Sequence, residues 1–116
     1  MEGRFSQPSL NDYRDWCHEI ARSMGRYDGP LERNIGEQLM LVVTEVAEAM
    51  EDLRDGKMAL SYDENGKPTG FPIEIADVMI RLFDLAGYLR IDIDDAVDTK
   101  IAYNETRPHR HGGKLA

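Results

Sequence analysis

Residues 71–89 read FPIEIADVMIRLFDLAGYL. Pro72 suits a first helical turn, where its missing N–H is not needed. Behind it, Ile73, Ile75, Ala76, Val78, Met79, Ile80, Leu82, Phe83, Leu85, Ala86 and Leu89 cover most of a helical circumference. Glu74, Asp77, Arg81, Asp84 and Tyr88 are confined to a narrow strip. A surface helix shows the reverse balance, a limited apolar stripe on a polar body. The pattern predicts a helix over 71–89 that is central, packed on several sides, or shared with a partner subunit.

Three further helices follow on either side. Ser9 can cap a helix over about 9–25, with Asp12 in its first turn and Tyr13, Trp16, Cys17, Ile20, Ala21 and Met24 as an apolar stripe. A second starts between Leu31 and Glu37, after the Gly29-Pro30 punctuator, and runs over about 34–55 to a stop at Gly56. Its expected core stripe is Leu39, Val42, Val43, Val46, Met50 and Leu53. Asp92 or Asp94 can cap the last helix, about 93–106, which Val97 and Ile101 anchor and Pro108 ends. Residues 56–70 read as a loop in which Asn65-Gly66 can turn a small hairpin. Residues 107–116 form a basic, glycine-containing tail. Four helices with mostly short links predict a single domain over 1–116, an all-α four-helix bundle.

Composition narrows the function. The net charge is −8, from 22 acidic and 14 basic side chains. A nucleic-acid polymer is a poor partner for such a chain, since phosphate backbones favour a basic surface. A small phosphorylated ligand stays possible, because a bound divalent cation inverts the local field. The single cysteine, Cys17, excludes a disulfide framework and reads as a small buried hydrophobe. The opening MEGRFSQPSL lacks a signal peptide's hydrophobic stretch, and no segment is long enough to cross a bilayer, which predicts a cytoplasmic protein.

Carboxylates carry the chemistry. Glu45 and Glu48 are three apart on the second helix, and Glu74 and Asp77 repeat that spacing on the third. Residues three apart share a helix face. Two such pairs on facing helices converge four carboxylates, which repel and take up protons unless a cation joins them. Oxygen-only ligands point to Mg²⁺, with Mn²⁺ as a substitute. The competing reading is an ion-pair ladder, since Arg81 lies four residues from Asp77 and three from Asp84. On the last helix, Lys100 and Asn104 share one face and Arg107 lies three further on. These groups suit phosphate oxygens, or equally a solvated helix end. His18, His109 and His111 offer no ligand spacing of weight, and no Walker-type phosphate loop is present.

With these pieces in order, the chain resembles the MazG-like nucleotide pyrophosphohydrolases of the all-α NTP pyrophosphatase superfamily. The resemblance rests on Glu45-x-x-Glu48 and Glu74-x-x-Asp77, within TEVAEAMEDLR and FPIEIADVMIRLFDLA. It extends to KIAYNETRPHRHGGK, with its Lys-x-x-x-Asn-x-x-Arg-Pro spacing, and covers about residues 10–114. It implies Mg²⁺-dependent hydrolysis of a nucleoside triphosphate to the monophosphate and pyrophosphate, in a homodimer or homotetramer. Glu45, Glu48, Glu74 and Asp77 then hold the metal, and Lys100, Asn104 and Arg107 face the triphosphate. Several members carry Glu-Glu before the first motif where this chain has Thr44-Glu45. Two other functions fit the same residues: a phosphoribosyl-ATP pyrophosphohydrolase, and a non-catalytic bundle binding nucleotide or a partner.

Overall fold

The computed structural model describes residues 6–29 and 33–108. Expectations placed on residues 1–5, Pro30, Leu31, His109, His111, Gly112-Gly113 and the rest of the tail from 109 lie outside the described residues. The chain is an all-α bundle of four helices: α1 Leu10–Ser23, α2 Ile35–Arg54, α3 Phe71–Leu89 and α4 Ile93–Thr106. A hairpin, β1 Ser61–Tyr62 and β2 Pro68–Thr69, interrupts the connection between α2 and α3. No helix among the described residues is long and apolar enough to cross a membrane.

The helix starts follow from their capping residues. The Ser9 hydroxyl accepts from Asp12 N at 3.1 Å, and the Asp12 carboxylate accepts from Ser9 N at 2.9 Å. This reciprocal box satisfies two N–H groups that have no helical partner. Asn34 caps α2 through Glu37 N, and Asp92 caps α4 through Asp95 N. Asp94 turns outward to a different helix: its two oxygens accept from Leu10 N and Asn11 N at the start of α1. Asn11 answers, accepting from Ile93 N and donating to Asp92. The first turns of α1 and α4 therefore cap each other.

Helix α3 is the middle element. It packs on α1 along one side and on α2 along the other, while α4 rests mainly on α1. This matches the expected central position. The α1–α3 approach is close enough to require glycine: a Cβ at Gly87 would lie 2.6 Å from that of His18. Tyr13 stacks on Phe83 with ring centroids 5.9 Å apart, and Leu85 and Ala86 are buried alongside.

The second helix departs from the expected burial. Leu39, Val43, Val46, Met50 and Leu53 are each about half exposed. The residues one position earlier in each turn, Gln38, Val42, Glu45, Ala49 and Asp52, are the buried and half-buried ones. Both sets recur at heptad spacing, so periodicity does not say which faces inward. Helix α2 meets α3 with its polar and small stripe and leaves its apolar stripe uncovered.

The hairpin refines the expected turn. Asn65-Gly66 does not form a two-residue turn; five residues, 63–67, join the paired positions Tyr62 and Pro68. Asp63 organises them, its Oδ1 accepting from Asn65 N at 2.8 Å and Lys67 N at 3.0 Å. An aspartate that bonds backbone ahead of it builds such a turn locally. The hairpin is tied to the helices where Phe71 N donates to Lys57 O at 2.8 Å. Gly70 is buried beside this bond at a φ of 108°, against the carbonyl of Ala59.

Candidate metal centre

Helices α2 and α3 bring the two predicted carboxylate pairs together. One oxygen from each of Glu45, Glu48 and Glu74 can be selected so that all three lie within 4.8 Å of one another. Asp77 stands beside this trio and lines the same cleft as Glu48 and Glu74. The cleft has a volume of about 320 Å³.

Its electrostatics are those of crowded acids. Burial pushes the Glu74 carboxyl above its ordinary pKa, and the charges of Glu48, Asp77, Asp52 and Glu45 add to this. Burial, then the charge of Glu45, raises Asp77. Glu48 is raised first by a hydrogen bond with Glu45 and then by that neighbour's charge. Such a bond between two carboxyls needs a proton. Among the described residues, three buried side-chain polar atoms have no hydrogen-bond partner: Glu74 Oε2 and Asp52 Oδ2 here, and Arg26 Nε beside Asp84. A buried oxygen without a donor is costly, and native structures rarely leave one.

Arg81 does not form the ladder of the competing reading along its own helix. Its Nε instead reaches across to Glu45 Oε1 at 2.7 Å. Glu45 is 12% exposed at its side chain, so the pair is shielded from water. One oxygen of Glu45 is thereby fixed. Carboxylates that hold cations are commonly oriented by such partners. The residues thus fit a hard divalent cation: carboxylate oxygens only, clustered, short of donors, and with one ligand braced.

Asp84, the third acid of the strip, belongs to a different environment. Its side chain is 6% exposed. Oδ1 lies 2.9 Å from His18 Nδ1 and accepts from Tyr27 OH at 2.9 Å. Arg26 Nε sits 3.1 Å from Oδ2, as an ion pair rather than an aligned hydrogen bond. Arg26 also donates to Gln38 on α2. Burial, followed by the bond to Asp84, pushes the Tyr27 hydroxyl up to about 12. A groove of about 600 Å³ runs from this network to the carboxylates, lined by Cys17, Ile20, Met24 and Ile80 as well as Glu45, Asp77 and Arg81. Burial raises the Cys17 thiol, in keeping with its reading as a small hydrophobe.

The three candidates on α4 lie elsewhere. Lys100, Asn104 and Arg107 are exposed, and none lines the carboxylate cleft. The Lys100 ammonium and the Arg107 guanidinium lie over the Tyr103 ring at 5.0 and 5.9 Å. Of the charged residues lining the cleft, Glu51, Asp52 and Lys67 escaped the sequence reading. Asp52 has a signal, standing four residues after Glu48 on the same face. Lys67 has none, since it reaches the cleft only through the hairpin.

No family model, curated protein or solved structure matches the chain.

Proposed function

We propose that the protein hydrolyses a nucleoside triphosphate between its α- and β-phosphates, using a divalent cation held by Glu45, Glu48, Glu74 and Asp77. The observation that carries this reading is the convergence of Glu45, Glu48 and Glu74 oxygens within 4.8 Å, next to the unpartnered Glu74 Oε2. The motif resemblance supplies the reaction type. Mg²⁺ is the expected ion and Mn²⁺ its substitute. When bound, such a cation supplies charge neutralisation at the phosphate oxygens.

The remaining work falls to the chain. Glu48, at the exposed side of the trio, accepts the proton of a water that attacks the α-phosphorus. A new oxygen–phosphorus bond forms, and the bond to the bridging oxygen breaks. Pyrophosphate leaves with that electron pair, and the nucleoside monophosphate remains. Arg81 keeps Glu45 in place throughout. A cytoplasmic role in clearing unwanted nucleotides accords with this chemistry.

The protein acts as a homo-oligomer in this reading. The uncovered stripe at Leu39, Val43, Val46, Met50 and Leu53 supports it. A second copy on that stripe also offers a route by which Lys100, Asn104 and Arg107 approach a cleft they do not reach in their own chain.

A nucleotide panel that includes phosphoribosyl-ATP, incubated with Mg²⁺, tests the activity. Monophosphate and pyrophosphate are expected in equal amounts, with Glu48→Gln lowering turnover far more than thermal stability. Orthophosphate as the first product, or unchanged turnover in the variant, rejects the assignment.

A further inference from the structure

The charged side chains that line the cleft are acids, Lys67 apart. A cation bound among Glu45, Glu48, Glu74 and Asp77 neutralises these acids, but a polyphosphate brings several more negative charges. It needs positive groups on its outer side. The α4 cations do not line the cleft, and Arg81 is engaged with Glu45.

One cation is in place. Lys67 lines the carboxylate cleft together with Pro68 and Thr69 of β2. Its ammonium forms no ion pair among the described residues, although Glu48, Asp52, Glu74 and Asp77 line the same cleft. The backbone that carries it is fixed from three directions. Lys67 N donates to Asp63 Oδ1, and Lys67 O accepts from Asp63 N at 2.9 Å. The hairpin base is closed by the Phe71–Lys57 bond, and Ser61 and Thr69 hydroxyls meet across the strands at 3.1 Å. A lysine head on such a base is a mobile point charge at a set position, suited to phosphate oxygens of varying geometry.

We propose that Lys67 is a phosphate-binding residue of the cleft, contacting the pyrophosphate portion of the ligand from the hairpin side. This assignment rests on the proposed cation site and gives the connection between α2 and α3 a binding role. The bland alternative is a solvated rim lysine that only screens the acids. The two differ in sign. A screening lysine opposes cation binding, so its loss strengthens both Mn²⁺ binding and anything that follows from it. A phosphate-contacting lysine is needed for the anion after the metal site is full.

The test uses Mn²⁺ and inorganic pyrophosphate with the full chain. Free Mn²⁺ is followed by electron paramagnetic resonance, and pyrophosphate binding by calorimetry at saturating Mn²⁺. Lys67→Ala is expected to bind Mn²⁺ at least as well as wild type and pyrophosphate about tenfold or more weakly. Lys67→Arg retains most of the affinity, and Lys57→Ala, a charge-matched change on the same connection, retains all of it. Equal pyrophosphate binding by wild type and Lys67→Ala overturns the assignment while leaving the proposed function intact. A wild-type protein that takes Mn²⁺ but no pyrophosphate overturns both. One that takes no Mn²⁺ removes the cation site beneath them.

Discussion

Helix α3 carries acids into two interfaces, and they are treated in opposite ways. Toward α1, Asp84 is met by His18, Tyr27 and Arg26. Toward α2, Glu74 and Asp77 are met by Glu45 and Glu48, with Arg81 bonded to only one of the four. The first interface supplies its own counter-charges. The second gathers like charges and leaves buried oxygens without donors. A buried acid met by opposite charge and donors serves packing, whereas acids gathered without counter-charge mark a place where something from outside completes the set.

Removing an acid should therefore have opposite consequences at the two interfaces. Asp84→Ala leaves Arg26 and His18 without their shared partner in a shielded position. Loss of one member of a buried pair costs about 3–5 kcal/mol. Chemical denaturation is expected to show a loss of that size, and a change under 1 kcal/mol would break the contrast.

The cation effect comes next in size. At a hundredfold excess over its dissociation constant, a ligand specific to the native state adds about 2.7 kcal/mol. Mg²⁺ or Mn²⁺ should raise the melting temperature of the wild type accordingly, and Glu74→Gln should lose most of this gain. The same variant without metal should be at least as stable as wild type at neutral pH. The sign follows from the raised carboxyls. A carboxyl with its folded pKa above the unfolded one favours the native state below the unfolded value, and that contribution is lost as pH rises through the folded value. Metal-free wild type should therefore lose stability between the ordinary carboxylate range and neutrality through Glu48, Glu74 and Asp77. The metal-induced gain should grow over the same interval. Thermal melts at pH 5 and pH 7.5, with and without Mn²⁺, measure both, and a gain that does not grow with pH breaks the reading.

The smallest effect on the single chain concerns the outer side of α2. Val46 is 52% exposed, so Val46→Glu should alter the fold's stability at low concentration by no more than about 0.5 kcal/mol. Sedimentation should instead show the variant as a monomer and the wild type as an oligomer. A wild type that stays monomeric rejects the oligomer.

The helices were legible because their signals are local. Ser9 with Asp12, Asp92 and Pro72 mark starts, and Gly56 marks a stop, within a turn of where they lie in the structure. The three-residue spacing of Glu45 with Glu48, and of Glu74 with Asp77, was equally readable. What could not be read depends on how elements meet. The stripes of α2 run side by side, one residue apart, and only the approach of α3 selects the polar one. Arg81 had partners available on its own helix and found a better one across the interface. The partners of Asp84 come from α1 and the segment after it, where the pairing depends on the close approach at Gly87. Lys67 lies in a segment without helical periodicity, and its place follows from an aspartate-built turn.

The mutual capping of α1 and α4 bears on the order of folding. Asp94 meets Leu10 N and Asn11 N across 84 and 83 positions of chain. Closing so long a loop carries a large entropic cost, so contacts of this kind form after local ones. The α1–α4 clasp is then a late event, largely absent from the transition state. Replacing Asp94 should leave the folding rate almost unchanged and quicken unfolding. Refolding and unfolding rates of Asp94→Ala, measured by stopped flow, check this, and a slowed folding limb rejects it.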